Sequence, residues 1–196
     1  MFWALVAIMN VFVLNSGRCG STTFIRACSH ISNYSSAHES RIHLLGDARL
    51  AYPPAHIEAD NRLSWLLGRL DDAFGDEAFY VHLRRDEDAA ASSFVKRADF
   101  GIMQAYREGV LLGGQPTQSA MDIARDYLQT VERNITCFLA NKTRKMTLQL
   151  EQAKQQFPEF WQRIAAEGDL SAALTEWEVA YNASTAQPRS QSAGNR

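Results

Sequence analysis

The stretch that most constrains the fold is residues 11–24, VFVLNSGRCGSTTF. Residues 11–15 run through β-branched, aromatic and aliphatic side chains and then stop at a Gly/Ser turn, the pattern of a buried strand. Directly after the turn, residues 21–31 place Phe24, Ile25, Cys28 and Ile31 at helical spacing. A strand, a glycine-containing loop and a helix make a βα unit whose backbone N–H groups face an anion.

The loop's side chains narrow the chemistry. Gly17 and Gly20 allow tight turns and close backbone approach. Arg18 supplies a planar cationic fork for an anionic oxygen, and Ser21, Thr22 and Thr23 add hydroxyls where the helix begins. A nucleoside triphosphate loop needs Gly-x-x-x-x-Gly-Lys-[Ser/Thr], with the hydroxyl on Mg²⁺. Here Gly17 and Gly20 stand too close, the Lys is missing, and no acidic strand end offers a magnesium ligand. The pattern predicts an anion held without a metal.

The rest of the chain continues in the same style. A polar loop, SNYSSAHESR, precedes the turn Tyr52-Pro53-Pro54. Residues 56–70 carry Ile57, Leu63, Leu66, Leu67 and Leu70 and read as a helix. Residues 78–83 read as a second strand, and 86–97 as a helix with Asp86 and Asp88 at its start. A long amphipathic helix is expected over 119–141, a third strand around Met146, Leu148 and Leu150, and helices over 157–166 and 170–181. Residues 183–196 are polar and read as a disordered tail, leaving one domain over 1–182. Alternating strands and helices give an α/β fold, a mostly parallel sheet flanked by helices.

Two positions stand out beyond the first loop. Arg85 closes the second strand, and Ser93 lies on the helix that follows. Together they are placed to meet a second phosphate outside the carboxyl ends of the strands. With both motifs in hand, the chain resembles the sulfotransferase superfamily. In that family a loop of the form [Lys/Arg]-Ser-Gly-[Ser/Thr]-Thr binds the 5′-phosphosulfate of 3′-phosphoadenosine 5′-phosphosulfate (PAPS). Arg18-Cys19-Gly20-Ser21-Thr22 stands in its place here, and Thr23 follows. The family's second motif, a strand-end Arg with a Ser eight positions on, binds the 3′-phosphate, and Arg85 and Ser93 match it. Arg84 and Ser92 are their adjacent rivals. The resemblance spans the element order from residue 11 to about 165. It implies a P-loop-like sulfotransferase fold and metal-free transfer of a sulfuryl group from PAPS to a hydroxyl or amine of a small-molecule, glycan, lipid or peptide acceptor. Arg18 would neutralise charge on the leaving phosphate. Competing readings are a P-loop kinase or NTPase and a non-catalytic nucleotide-binding relative.

An acceptor hydroxyl needs a base. Family members use a His or a Glu, and the resemblance puts Glu39 in that role, with His38 and His43 as rivals; Arg41 is its simplest ion-pair partner. His56, Glu58, Asp60, Asn61 and Arg62 are further candidates for the acceptor cleft, most of them expected on a solvated helix face. Trp161 and Trp177 are expected in the core. Cys19 departs from the family's Ser, which implies a loop open to thiol reagents. No late Arg-Lys-Gly-x-x-Gly segment is present, and the Asn182-Ala183-Ser184 region is the only substitute offered. The chain is short for the family, implying a reduced acceptor site or one completed by a second subunit.

The net charge of −2 argues against a broad basic face for nucleic acid. Three cysteines without a CxxC pair or a His cluster read as free, buried thiols. Residues 1–9 are apolar, but they lack a preceding basic residue and the length of a membrane span. They are expected to lead into the first buried strand, with Met9 as an alternative start, and the protein is expected in the cytoplasm.

Overall fold

A strand as uniformly apolar as β1 (Val11–Leu14) needs cover on both faces and partners on both edges. The computed structural model, which describes residues 9–179, gives it all four. β1 pairs in parallel with β3 (His56–Ala59) on one side and with β4 (Phe79–Arg84) on the other. Beyond these lie β2 (Ser35–His38) and β5 (Lys145–Gln149). Among the described residues the sheet has five strands, all parallel, in the order β2-β3-β1-β4-β5.

Alternation along the strands divides the core in two. Val11, Val13, Ile57, Val81 and Leu148 face α1 (Ser21–Cys28), α6 (Ala153–Arg163) and α7 (Leu170–Thr175). Phe12, Leu14 and Tyr80 face α2 (Leu67–Phe74), α3 (Glu87–Val95) and α5 (Ala120–Leu139). Between α3 and α5 the chain adds α4 (Gly101–Ala105) and a π-helical turn over Tyr106–Val110. The helix ends follow local chemistry. Asp86 caps α3 by accepting from the Ala89 N–H, and Ser119 caps α5 in a reciprocal pair with Asp122.

Adjacent strands β1 and β4 send their following helices, α1 and α3, to opposite faces of the sheet. That divergence opens a crevice at their carboxyl ends, the usual place for a ligand in an open parallel sheet.

The expected helix over 56–70 is not formed. The spacing of Ile57, Leu63 and Leu70 is shared by three elements: β3, a 3₁₀ segment (Asn61–Trp65) and α2. The sequence His56-Ile57-Glu58-Ala59 alternates with period two, and its polar members are buried rather than solvated. β2 falls in what reads as a polar loop. It is an edge strand held by backbone pairing to β3, so it needs little apolar surface. The expected tail over 183–196 and residues 1–8 lie outside the described residues. Among the described residues, no helix is long and apolar enough to cross a membrane.

Phe24 is fully buried against Phe157, Phe160 and Trp177, with ring centroids 5.5, 5.0 and 6.1 Å away. Phe24→Ala should lower the unfolding free energy by about 3–5 kcal/mol in urea titrations. A loss well below that range would show that α1 is not fastened to α6 through this cluster.

Candidate functional site

The loop after β1 is shaped by its backbone. Gly17, Arg18 and Gly20 have φ of 92°, 59° and 82°. Left-handed residues in succession turn N–H groups toward a common concavity. The φ of Gly20 favours glycine, and a Cβ there would also push aside the end of the Leu150 side chain. The loop is also tied from behind. Asn15 Oδ1 accepts from the Gly17 N–H at 2.9 Å, Ser64 Oγ donates to the Asn15 carbonyl at 3.0 Å, and the Tyr127 hydroxyl of α5 donates to the Ser16 carbonyl at 2.7 Å. α1 then begins with no acidic residue in its first turn, and its first N–H groups have no helical carbonyl to take them up.

The two sequence motifs meet at this loop. Arg18 Nε donates to Ser93 Oγ at 2.9 Å, and Arg85 Nη1 donates to the Arg18 carbonyl at 3.0 Å. Arg84, the neighbour of Arg85, turns to the other side of the chain and pairs with Glu132 of α5 at 2.9 Å. Asp88 pairs with Arg125 rather than with Arg85.

The two motifs border one cavity of about 980 Å³. Arg18, Gly20, Ser21, Thr22, Thr23, Arg85 and Ser93 line it, together with Ser92. Its cations are Arg18, Arg62, Arg85, Lys96, Arg97 and Lys154, against the carboxylates Glu39 and Glu151. Burial, followed by repulsion from Arg97 and Arg85, lowers the pKa of Arg18 below its ordinary value. Like charges crowded at reduced dielectric favour a bound anion. Among the described residues, no group of three or more His, Cys, Asp or Glu side chains gathers to hold a metal ion.

Two potential bases face the same space. Glu39 follows β2 and pairs with Arg62 at 3.0 Å. His38 sits beside it, with Nε2 2.9 Å from Ser21 Oγ at the start of α1. His43 is exposed and does not line the cavity. Arg41, expected to pair with Glu39, donates instead to the Ala48 carbonyl and lies over the Tyr52 ring.

Other expectations change with burial. Cys19 lines the inner side of the loop at 1% exposure, and its thiol donates to the Gly17 carbonyl at 3.0 Å. Burial pushes its pKa up to about 11, so the loop is not open to thiol reagents. Cys28 is buried and Cys137 exposed. Of the five candidates over 56–62, only Asn61 and Arg62 reach the cavity. Trp161 is in the core, while Trp177 both packs on Phe24 and lines the cavity. Lys96 and Arg97 escaped the sequence reading. Their signal was their place just past the end of α3, about one turn beyond Ser93. The Asn182-Ala183-Ser184 region lies outside the described residues.

No protein-family model matches the chain, and no curated protein matches it. Solved structures do. The sulfotransferase domain from the curacin biosynthetic pathway is similar with a TM-score of 0.61 at 15% identity, over 87% of this chain and 78% of that one. Mouse sulfotransferase SULT7A1, complexed with PAP, is similar with a TM-score of 0.54 at 10% identity, over 88% of this chain and 64% of that one. The chain has the sulfotransferase fold.

At pH 8 the native protein should give one fast-reacting thiol with an aromatic disulfide reagent, Cys137, and three after denaturation. Rapid labelling of Cys19 in the native state would contradict the buried, neutral thiol described above.

Proposed function

We propose that this protein is a sulfotransferase that moves a sulfuryl group from PAPS to a hydroxyl or amine of a small-molecule, glycan, lipid or peptide acceptor. The observation that carries this reading is the Arg18–Ser93 hydrogen bond with Arg85 on the Arg18 carbonyl. It joins two anion-binding motifs, far apart in sequence, at one cationic cavity. The neighbour SULT7A1 is complexed with PAP. Glycine-shaped backbone, a helix N-terminus and clustered guanidinium groups suit a ligand with phosphate groups at both ends, and the cavity is large enough for a nucleotide.

In this reading the Asn15–Gly20 loop and the hydroxyls of Ser21, Thr22 and Thr23 hold the 5′ end, while Arg85 and Ser93, helped by Arg97, hold the 3′-phosphate. PAPS supplies the sulfuryl group: the acceptor oxygen gains the S–O bond as the bridging S–O bond breaks, and the electron pair leaves on PAP. Arg18 and the first N–H groups of α1 stabilise the negative charge that grows on the leaving phosphate. The Glu39 carboxylate takes the acceptor proton, and Arg62 orients it. Such transfer depends mainly on positioning and charge neutralisation.

Thermal shift separates this reading from that of a metal-dependent P-loop kinase. PAP at about 100 times its Kd should raise Tm by roughly 5–10 °C, and Mg·ATP should not. Stabilisation by Mg·ATP alone would overturn the proposal. Arg18→Ala should lower PAPS turnover roughly 100- to 1,000-fold, and Glu39→Ala by at least about 100-fold. If Glu39→Ala keeps full activity and His38→Ala loses it, the base is the histidine hydrogen-bonded to Ser21.

A further inference from the structure

β3 carries a feature that the proposed reaction does not absorb. Ile57 and Ala59 enter the apolar core, while His56, Glu58 and Asp60 point the other way and are also buried. Buried charges are costly unless every lone pair finds a donor, and apolar residues would fill the same space more cheaply. Glu58 has zero exposure and three donors. Its Oε1 accepts from the Ser40 N–H at 2.7 Å, and its Oε2 accepts from Ser40 Oγ at 2.7 Å and meets His56 Nε2 at 3.0 Å. His56 is fixed in turn. Its Nδ1 lies 2.8 Å from Ser35 Oγ, and the Tyr52 ring stacks on it with centroids 5.4 Å apart.

The last residue of β3 and the one after it act on the same place. The Ala59 carbonyl accepts from the Glu39 N–H at 3.0 Å. Asp60, paired with Arg49, accepts from the Arg62 N–H at 2.8 Å. Residues 58, 59 and 60 therefore grip Ser40, Glu39 and Arg62 in order. Glu39 itself sits at φ 53°, a left-handed conformation that persists in a non-glycine residue only when its surroundings over-determine it.

We infer that Glu58, oriented by His56, is a positioning residue for Glu39: it clamps the Ser40 turn and so holds the Glu39 carboxylate against Arg62 at the cavity. This role rests on Glu39 as the base of the proposed reaction. The clamp explains why a carboxylate with a histidine partner is buried one residue from the end of β3. It also explains why the turn after β2 keeps a strained residue without glycine.

Glu58→Gln keeps the volume but replaces one accepting oxygen with a donor. Amide exchange over residues 35–44 should then quicken roughly tenfold or more, with residues 11–31 unchanged and PAP affinity kept within about twofold. PAPS turnover with water as acceptor should fall roughly 10- to 100-fold at unchanged KM for PAPS. That loss should vanish in the Glu39→Ala background, because the two residues act through one carboxylate. Ser40→Ala, which removes only the hydroxyl bond, should give the same pattern more weakly, and it guards against a Glu58→Gln chain that does not fold. Unchanged exchange over 35–44 in the folded variants overturns the clamp. So does an equal loss of turnover with and without Glu39. A wild-type chain that turns over no PAPS would sink the sulfotransferase reading, and the exchange result would still decide the clamp.

Discussion

Everything at the cavity depends on β1 being hydrogen-bonded along both edges and covered on both faces. Each of its four residues has zero exposure, and Asn15 and Ser16 stay buried where the strand gives way to the loop. The chain must turn within a few residues and feed α1, which packs through Phe24, Ala27 and Cys28 on one face. The neighbouring strand β4 feeds α3 to the opposite face through Ala90, Ala91 and Phe94. Two loops on adjacent strands are thus forced apart, and the crevice between them is a packing consequence before it is a binding site.

Charge then gathers where the core leaves room. The chain as a whole carries a net charge of −2, yet the cavity walls bring together four arginines and two lysines against two carboxylates. Links within the protein keep this arrangement standing. Ser93 takes the Arg18 Nε, the Arg18 carbonyl takes Arg85, and Glu39 takes Arg62. Hydrogen bonds to charged groups are the stronger ones, and here they preorganise side chains that would otherwise repel each other.

Much of the fold was legible because it is written in local pattern. The apolar run of β1, the alternation in β5, the acidic start of α3 and the face of α5 all report nearest-neighbour physics. The failures have one cause. β2 is held by pairing with β3, and β3 by pairing with β2 and β1, so β2 could be polar and β3 could bury His56 and Glu58 without an apolar signature. Read as a lone stretch, 56–70 has the spacing of a helix. Only the Asp60–Arg49 pair, the Glu58–Ser40 bonds and the sheet register show that it is a strand followed by a turn.

The sequence by itself determined much of the local backbone of the first loop, with glycines at two of its three positive-φ positions, and the order of the two motifs along the chain. Both follow from steric limits and residue spacing, which need no distant partner. Tertiary structure alone decided that the Arg85 picked out in sequence reaches the Arg18 carbonyl while Arg84 turns to Glu132, and that Glu39 pairs with Arg62 rather than Arg41. It also decided that Cys19 faces inward. These choices depend on which elements lie side by side once both faces of the sheet are covered, and side chains one position apart point in opposite directions there.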